Sequence, residues 1–130
     1  METLIKDREQ VLGKKECVGA MKNVLDALYV LGGKWKLPLI LSLIDGPKRF
    51  NEIQHDLKGI SPKILANELK NLELNEFVER KVYATTPVTI IYEATEHSTT
   101  LRKVLQELSI WGEQHREKIR SSMKKEYQQT

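Results

Sequence analysis

The sequence predicts a single domain of mostly helical α+β fold. Three observations predict it. Two short segments of helical apolar period lie between Phe50 and Leu74, joined by Lys58-Gly59-Ile60; two stretches of period-two alternation follow directly; and a long amphipathic segment comes last. At 130 residues the chain is long enough to bury roughly two thirds of its unfolded surface, but too short for a second domain of catalytic size.

Residues 1–16 are polar and charged, with Leu4, Ile5, Val11 and Leu12 as their sizeable apolar side chains. They are expected to form an arm, or a short helix packed on a neighbour. Cys17 opens the first convincing helix, in which Met21, Val24, Leu25, Leu28 and Leu31 keep helical period, and Gly32-Gly33 ends it. Lys34 to Ile44 (KWKLPLILSLI) is dense in apolar residues and carries Pro38 within a turn of its start, where a helix tolerates it. This is the expected most buried helix. Asp45-Gly46-Pro47 is a turn, and Lys48-Arg49-Phe50-Asn51 leads into the first of the paired helices.

The second helix of the pair is the better marked. Ser61 is a preferred N-cap, and Pro62 falls at the first helical position, where a missing N–H costs nothing. Leu65, Leu69 and Leu72 recur on one face, while Lys63, Asn67 and Lys70 recur on the other. With Ser61 and the small Ala66 beside it, that polar stripe suits a helix lying in a DNA major groove. It suits a merely solvated face as well.

After Asn75 the period changes. Phe77 to Tyr83 and Val88 to Tyr92 alternate, are rich in β-branched and aromatic residues, and flank the loop Ala84-Thr85-Thr86-Pro87. A hairpin placed directly after a helix-turn-helix makes the unit a winged helix-turn-helix, with Arg80 and Lys81 near the base of the wing and an uncharged tip. The last helix is expected from about His97 to Lys124, capped by Thr95 or Ser98. Its apolar stripe is Leu101, Val104, Leu105, Leu108, Trp111 and Ile119. The helix is longer than a domain of this size needs, so Leu101, Val104, Leu105, Leu108 and Trp111 are read as a homodimer interface. The competing reading is that it covers only its own chain. The expected division is therefore arm 1–16, DNA-binding core 17–96, and dimerisation helix with polar tail 97–130.

The net charge is +3, far from a polycation, so any nucleic-acid surface must arise by sorting of cations in the fold. A single cysteine excludes an intramolecular disulfide and fits a reducing compartment. No apolar run is long enough to span a bilayer, and METLIKDREQ lacks a signal-peptide core, so a cytoplasmic protein without a membrane partner is expected. His55, His97 and His115 are scattered without metal-ligand spacing, and no phosphate-cradling glycine loop is present. Neither a metal, a cofactor nor an enzymatic activity is expected.

Gly32-Gly33-Lys34-Trp35-Lys36, Asp45-Gly46-Pro47-Lys48-Arg49-Phe50-Asn51-Glu52 and Gly59-Ile60-Ser61-Pro62-Lys63-Ile64-Leu65 stand in register with Leu69-Lys70-Asn71-Leu72-Glu73, Tyr83, Pro87, Tyr92, Thr95 and Trp111-Gly112. Over Cys17 to about Lys118 the chain closely resembles the HxlR family of winged-helix transcriptional regulators, relatives of the MarR group. The resemblance implies a homodimer on a roughly palindromic promoter site, most often a repressor and sometimes an activator. It implies base reading by Ser61, Pro62, Lys63, Ala66, Asn67 and Lys70, and phosphate contacts from Lys48, Arg49, Asn51, Arg80 and the wing. Many family members carry a cysteine at the Cys17 position, in some a sensor of oxidants or electrophiles. Here Val18-Gly19 replace the proline that commonly follows it, and Ser98 stands where the family often has glycine.

A thiol at a helix N-terminus near Lys14, Lys15 and Lys22 favours the reactive thiolate, with Glu16 opposing. A lone cysteine is also commonly an inert small hydrophobe. Two alternatives stay beside the redox reading: a regulator answering a small molecule without thiol chemistry, with Trp35 and Trp111 lining its pocket or simply packing, and a winged helix used for protein contact.

Overall fold

The computed structural model describes residues 13–129. Most of the expected N-terminal arm, residues 1–12, lies outside them. The chain divides into two compact units, residues 1–33 and 34–130.

In the first unit, helix α1 spans Lys14–Leu31, beginning three residues before Cys17, with Gly13 as N-cap. Glu16 in its first turn complements the helix dipole. The helix stops at Gly32, whose N–H donates to the Leu28 carbonyl at 2.7 Å, and a Cβ there would stand 2.4 Å from that oxygen. Gly33 then takes φ +102°, a conformation side chains rarely adopt. Val18, Met21, Val24, Leu25 and Leu28 are all more than half exposed, so the apolar period of α1 is real but its face stands open.

The second unit runs α2 (Lys36–Ile44), α3 (Phe50–Asp56), α4 (Pro62–Leu74), β1 (Val78–Tyr83), β2 (Thr89–Ala94), α5 (Glu96–Thr99) and α6 (Arg102–Gln129). Its core gathers Leu39, Ile40 and Leu43 of α2, Ile53 of α3, and Leu65, Leu69 and Leu72 of α4. Leu57, Ile60, Phe77, Val78 and Leu105 complete it. Local chemistry delimits the paired helices. The Glu52 carboxylate reaches back to accept the Arg49 N–H at 3.0 Å, and Ser61 Oγ accepts the Ile64 N–H at 3.2 Å. Between the helices Gly59 adopts φ +91°, which lets the chain reverse within three residues.

The hairpin is antiparallel, from Val78↔Ala94 to Tyr83↔Thr89. Its second strand starts one residue later and ends two residues beyond the expected Val88–Tyr92, because Thr95 N–H donates to the Phe77 carbonyl and carries the pairing to the sheet's end. Lys48 adds a short third edge: its N–H donates to the Tyr92 carbonyl at 2.9 Å and its carbonyl accepts the Tyr92 N–H at 2.8 Å.

The terminal segment differs from the single helix expected from about His97. It is a short α5 and a long α6. Thr95, rather than Ser98, is the cap, its Oγ1 accepting the Ser98 N–H. At the break the backbone tightens to i→i−3 bonding: the Thr100 and Leu101 N–H groups donate to the His97 and Ser98 carbonyls at 3.2 and 3.0 Å. The Thr99 and Thr100 hydroxyls donate to the Glu96 and His97 carbonyls, both at 2.6 Å.

Ser98 is fully buried and its hydroxyl donates to the Phe77 carbonyl. That carbonyl also accepts the Thr95 N–H at 3.1 Å, so removing the hydroxyl leaves it satisfied. Ser98→Ala is therefore expected to cost only about 0.5–1.5 kcal/mol in urea unfolding, the net worth of one hydrogen bond.

Candidate nucleic-acid interface

Burial of Leu65, Leu69 and Leu72 fixes the rotation of α4 about its own axis. Ser61, Pro62, Lys63, Ala66, Asn67 and Lys70 are consequently all exposed, side by side on the outward face. Two more side chains share that surface. Ile64 is 44% exposed, and Asn71 is exposed with its amide oxygen 3.4 Å from the Asn75 amide nitrogen. Ile64 was findable from sequence as the one apolar residue in the helix's first turn that falls off the leucine row. Underneath, Lys36 of α2 and Glu68 of α4 pair at 2.9 Å with side chains only 18% and 23% exposed, pinning the two helices together. Neither residue stands out in the sequence, since the pairing joins segments far apart in the chain.

The expected phosphate contacts fall into two groups. Arg49 and Asn51 at the start of α3, and Arg80 on β1, are exposed. Lys48 and Lys81 are engaged. The Lys48 ammonium lies 2.6 Å from Asp56 Oδ2 and 3.6 Å from Asp45 Oδ2, its side chain only 17% exposed. It also donates to Ser42 Oγ at 3.3 Å, and Ser42 Oγ donates to Asp56 Oδ2 at 2.7 Å. The hydrogen bond to Asp56 raises the Lys48 pKa against the opposing effect of burial, with the Asp56 and Asp45 charges adding to the rise. The hydrogen bonds from Lys48 and then Ser42 lower that of Asp56. Lys81 pairs diagonally across the hairpin with Glu93 at 2.9 Å, and that hydrogen bond raises its pKa.

The wing tip bears no charge from Val82 to Val88, and Val82, Tyr83 and Val88 are largely exposed. Thr85 Oγ1 braces the loop against the Pro87 carbonyl at 2.6 Å and Thr89 Oγ1 at 2.7 Å.

Along α6, Leu105 is buried while Val104, Leu108 and Trp111 are exposed, and Leu101, just before the helix, is half-buried. Ile110, Ile119, Met123 and Tyr127 extend the exposed apolar surface. Trp111 stacks on His115 at 5.0 Å, and Trp35 is half-buried with the Lys34 ammonium 4.8 Å from its ring centre. Cys17 is half-buried in α1, its N–H donating to the Gly13 carbonyl at 2.9 Å. Among the described residues, no three His, Cys, Asp or Glu side chains group as a metal site, and no single helix is long and apolar enough to cross a membrane.

The model of the HxlR-like helix-turn-helix family matches residues 30–120. The chain is 49% identical over 88 residues to the HTH-type transcriptional regulator YodB of Bacillus subtilis (strain 168), covering 68% of this chain and 79% of YodB. The redox regulator HypR in its reduced form superposes with a TM-score of 0.71 at 37% identity, covering 76% of this chain and 98% of HypR. A transcriptional regulator of the MarR family from Enterococcus faecalis V583 superposes with a TM-score of 0.62 at 29% identity, covering 84% and 94%. YodB from B. subtilis has been solved in diamide-treated and quinone-bound forms, with TM-scores of 0.59 and 0.60 at 48% and 43% identity, covering 68% and 72% of this chain and 88% and 98% of YodB.

The Lys48–Asp56 pair sets a pH dependence. Asp56 has a lowered pKa in the folded state, so its contribution to stability is present above the ordinary aspartate value of about 3.9 and fades as pH falls through the lower folded value. Lys48 has a raised one, so its contribution is complete below the ordinary lysine value of about 10.4 and fades above it. Thermal melts should show the Asp56→Asn destabilisation constant from pH 5 to 9, to within about half a unit of those limits, and shrinking in stronger acid.

Proposed function

The chain belongs to the HxlR-like helix-turn-helix family and is a DNA-binding transcriptional regulator, not an enzyme, and we propose that it acts as a homodimer on a roughly palindromic promoter site, as a repressor. The observation that carries this reading is the pairing of two exposed stripes of opposite character. One is the polar face of α4 with Lys63, Asn67 and Lys70; the other is the apolar face of α6 with Val104, Leu108 and Trp111. The first suits base edges and the second suits a second copy of the same helix.

In this reading Ser61, Pro62, Lys63, Ile64, Ala66, Asn67 and Lys70 face the major groove, with Ile64 placed for a thymine methyl. Arg49, Asn51 and Arg80 supply phosphate contacts, and with them the salt dependence. Lys81 contributes less because Glu93 already neutralises it. The braced, uncharged wing tip enters the minor groove by shape. Two recognition helices about 34–36 Å apart then meet successive major grooves. The chain works in the cytoplasm and needs no cofactor.

The effector reading centres on Cys17. An oxidant or electrophile reacting with its thiol changes DNA affinity, a reading supported by the likeness to HypR, a redox regulator, and to YodB, solved diamide-treated and quinone-bound. A small molecule acting without thiol chemistry is the second reading.

Binding to a duplex from the upstream intergenic region, competed with a scrambled duplex, tests the regulator: preference of about a thousandfold or more is expected, and equal binding would contradict a local operator. Asn67→Ala should lose about 1–3 kcal/mol, on the native duplex only. Leu108→Glu should sediment as a monomer; an unchanged dimer would remove α6 from the interface. Diamide should shift wild-type affinity and leave Cys17→Ser unmoved, and an equal shift in the variant would end the thiol reading.

A further inference from the structure

We propose that Lys48 is a positioning residue that holds the wing against the helix pair, rather than a contact to the phosphate backbone. Three elements meet at this one side chain and its peptide. The Lys48 backbone exchanges two hydrogen bonds with Tyr92, at 2.9 and 2.8 Å, and so grips β2, the strand leading out of the wing. Its ammonium lies 2.6 Å from the carboxylate of Asp56, the last residue of α3. Ser42 of α2 accepts from the same ammonium at 3.3 Å and donates to the same carboxylate at 2.7 Å, closing a triangle. Asp45 adds a second negative charge at 3.6 Å.

A phosphate contact has different requirements. The ammonium would have to leave two carboxylates and a hydroxyl for a diester carrying one negative charge, and swing outward from a side chain that is 17% exposed. Arg49, the next residue, is exposed and starts the same helix, so the charge that this turn can lend to DNA is already supplied. Lys48 is held inward, where loss of its charge frees β2 from α3. The wing would then reach the duplex at a variable angle beside α4, and affinity would fall without loss of an ionic contact to DNA.

The proposal rests on reading α4 and the hairpin as the DNA surface, so its test has one arm with DNA and one without. Lys48→Met, Asp56→Asn, the double variant and Lys48→Arg are compared with the wild-type protein. In the arm without DNA, amide hydrogen exchange is followed at Tyr92, with Leu69 as the core reference. A larger acceleration at Tyr92 than at Leu69 in both single variants is expected; an acceleration at Tyr92 no greater than that at Leu69 would overturn the proposal whether or not DNA is bound.

In the arm with DNA, affinity for the native duplex is measured across salt concentrations. Lys48→Met and Asp56→Asn should weaken binding by similar factors, roughly threefold to thirtyfold, with the double variant no worse than the weaker single one, as for partners in one ion-pair network. The slope of log affinity against log salt should be unchanged, and Lys48→Arg should recover most of the affinity. A Lys48→Met slope flattened by about 0.9, the release of one counterion, together with full affinity in Asp56→Asn, would make Lys48 a phosphate contact and overturn the proposal. Failure of the wild-type protein to prefer the native duplex would count against the DNA reading alone, since the exchange arm decides the role of Lys48 independently.

Discussion

The outward face of α4 depends above all on the burial of one row of leucines. Leu65, Leu69 and Leu72 are buried, as are Leu39, Ile40, Leu43 and Ile53 of the two preceding helices. A helix whose apolar stripe is this narrow has one rotation that buries it and many that do not. Everything that α4 presents outward follows from that rotation. The Lys36–Glu68 pair reinforces it from the flank, where a half-buried ion pair orients more than it stabilises.

A winged helix has a second requirement, that the hairpin be held relative to the helices. A two-stranded ribbon packs little on its own and is marginal in isolation. Here it is fastened at two points near its base. At its base Thr95 and Ser98 both engage the Phe77 carbonyl, and along its second strand Tyr92 pairs with Lys48. The turn Asp45-Gly46-Pro47-Lys48 therefore does structural work on both sides: its backbone extends the sheet, and its lysine reaches the end of α3.

Most of the architecture was legible because it is written in local periodicity. The leucine row of α4, the Ser61-Pro62 start, the Gly32-Gly33 stop and the alternation of the hairpin are all short-range signals, and they place the exposed set Lys63, Ala66, Asn67 and Lys70 correctly on one face. What sequence reading could not supply were pairings between distant segments. Lys48 looks like any cation beside Arg49 until Asp56 and Ser42 are brought to it, and Lys81 looks available until the hairpin register sets Glu93 on its diagonal. The break between α5 and α6 escaped for a different reason. Thr99 and Thr100 are tolerable in a helix, and only the backbone bonds from Thr100 and Leu101 back to His97 and Ser98 show that one ends here.

The turn at Thr100 and Leu101 separates α6 from α5. At 28 residues the helix is a rod about 42 Å long, at 1.5 Å per residue. A turn of about 5° at Thr100 carries its far end through roughly 3–4 Å, by simple arc length on that helical rise. That is about one base-pair step of B-DNA, close to 3.4 Å. In the homodimer proposed above, a turn of that size at Thr100 would change the spacing of the two half-sites by about one base pair, enough to move a recognition helix in or out of step with the groove.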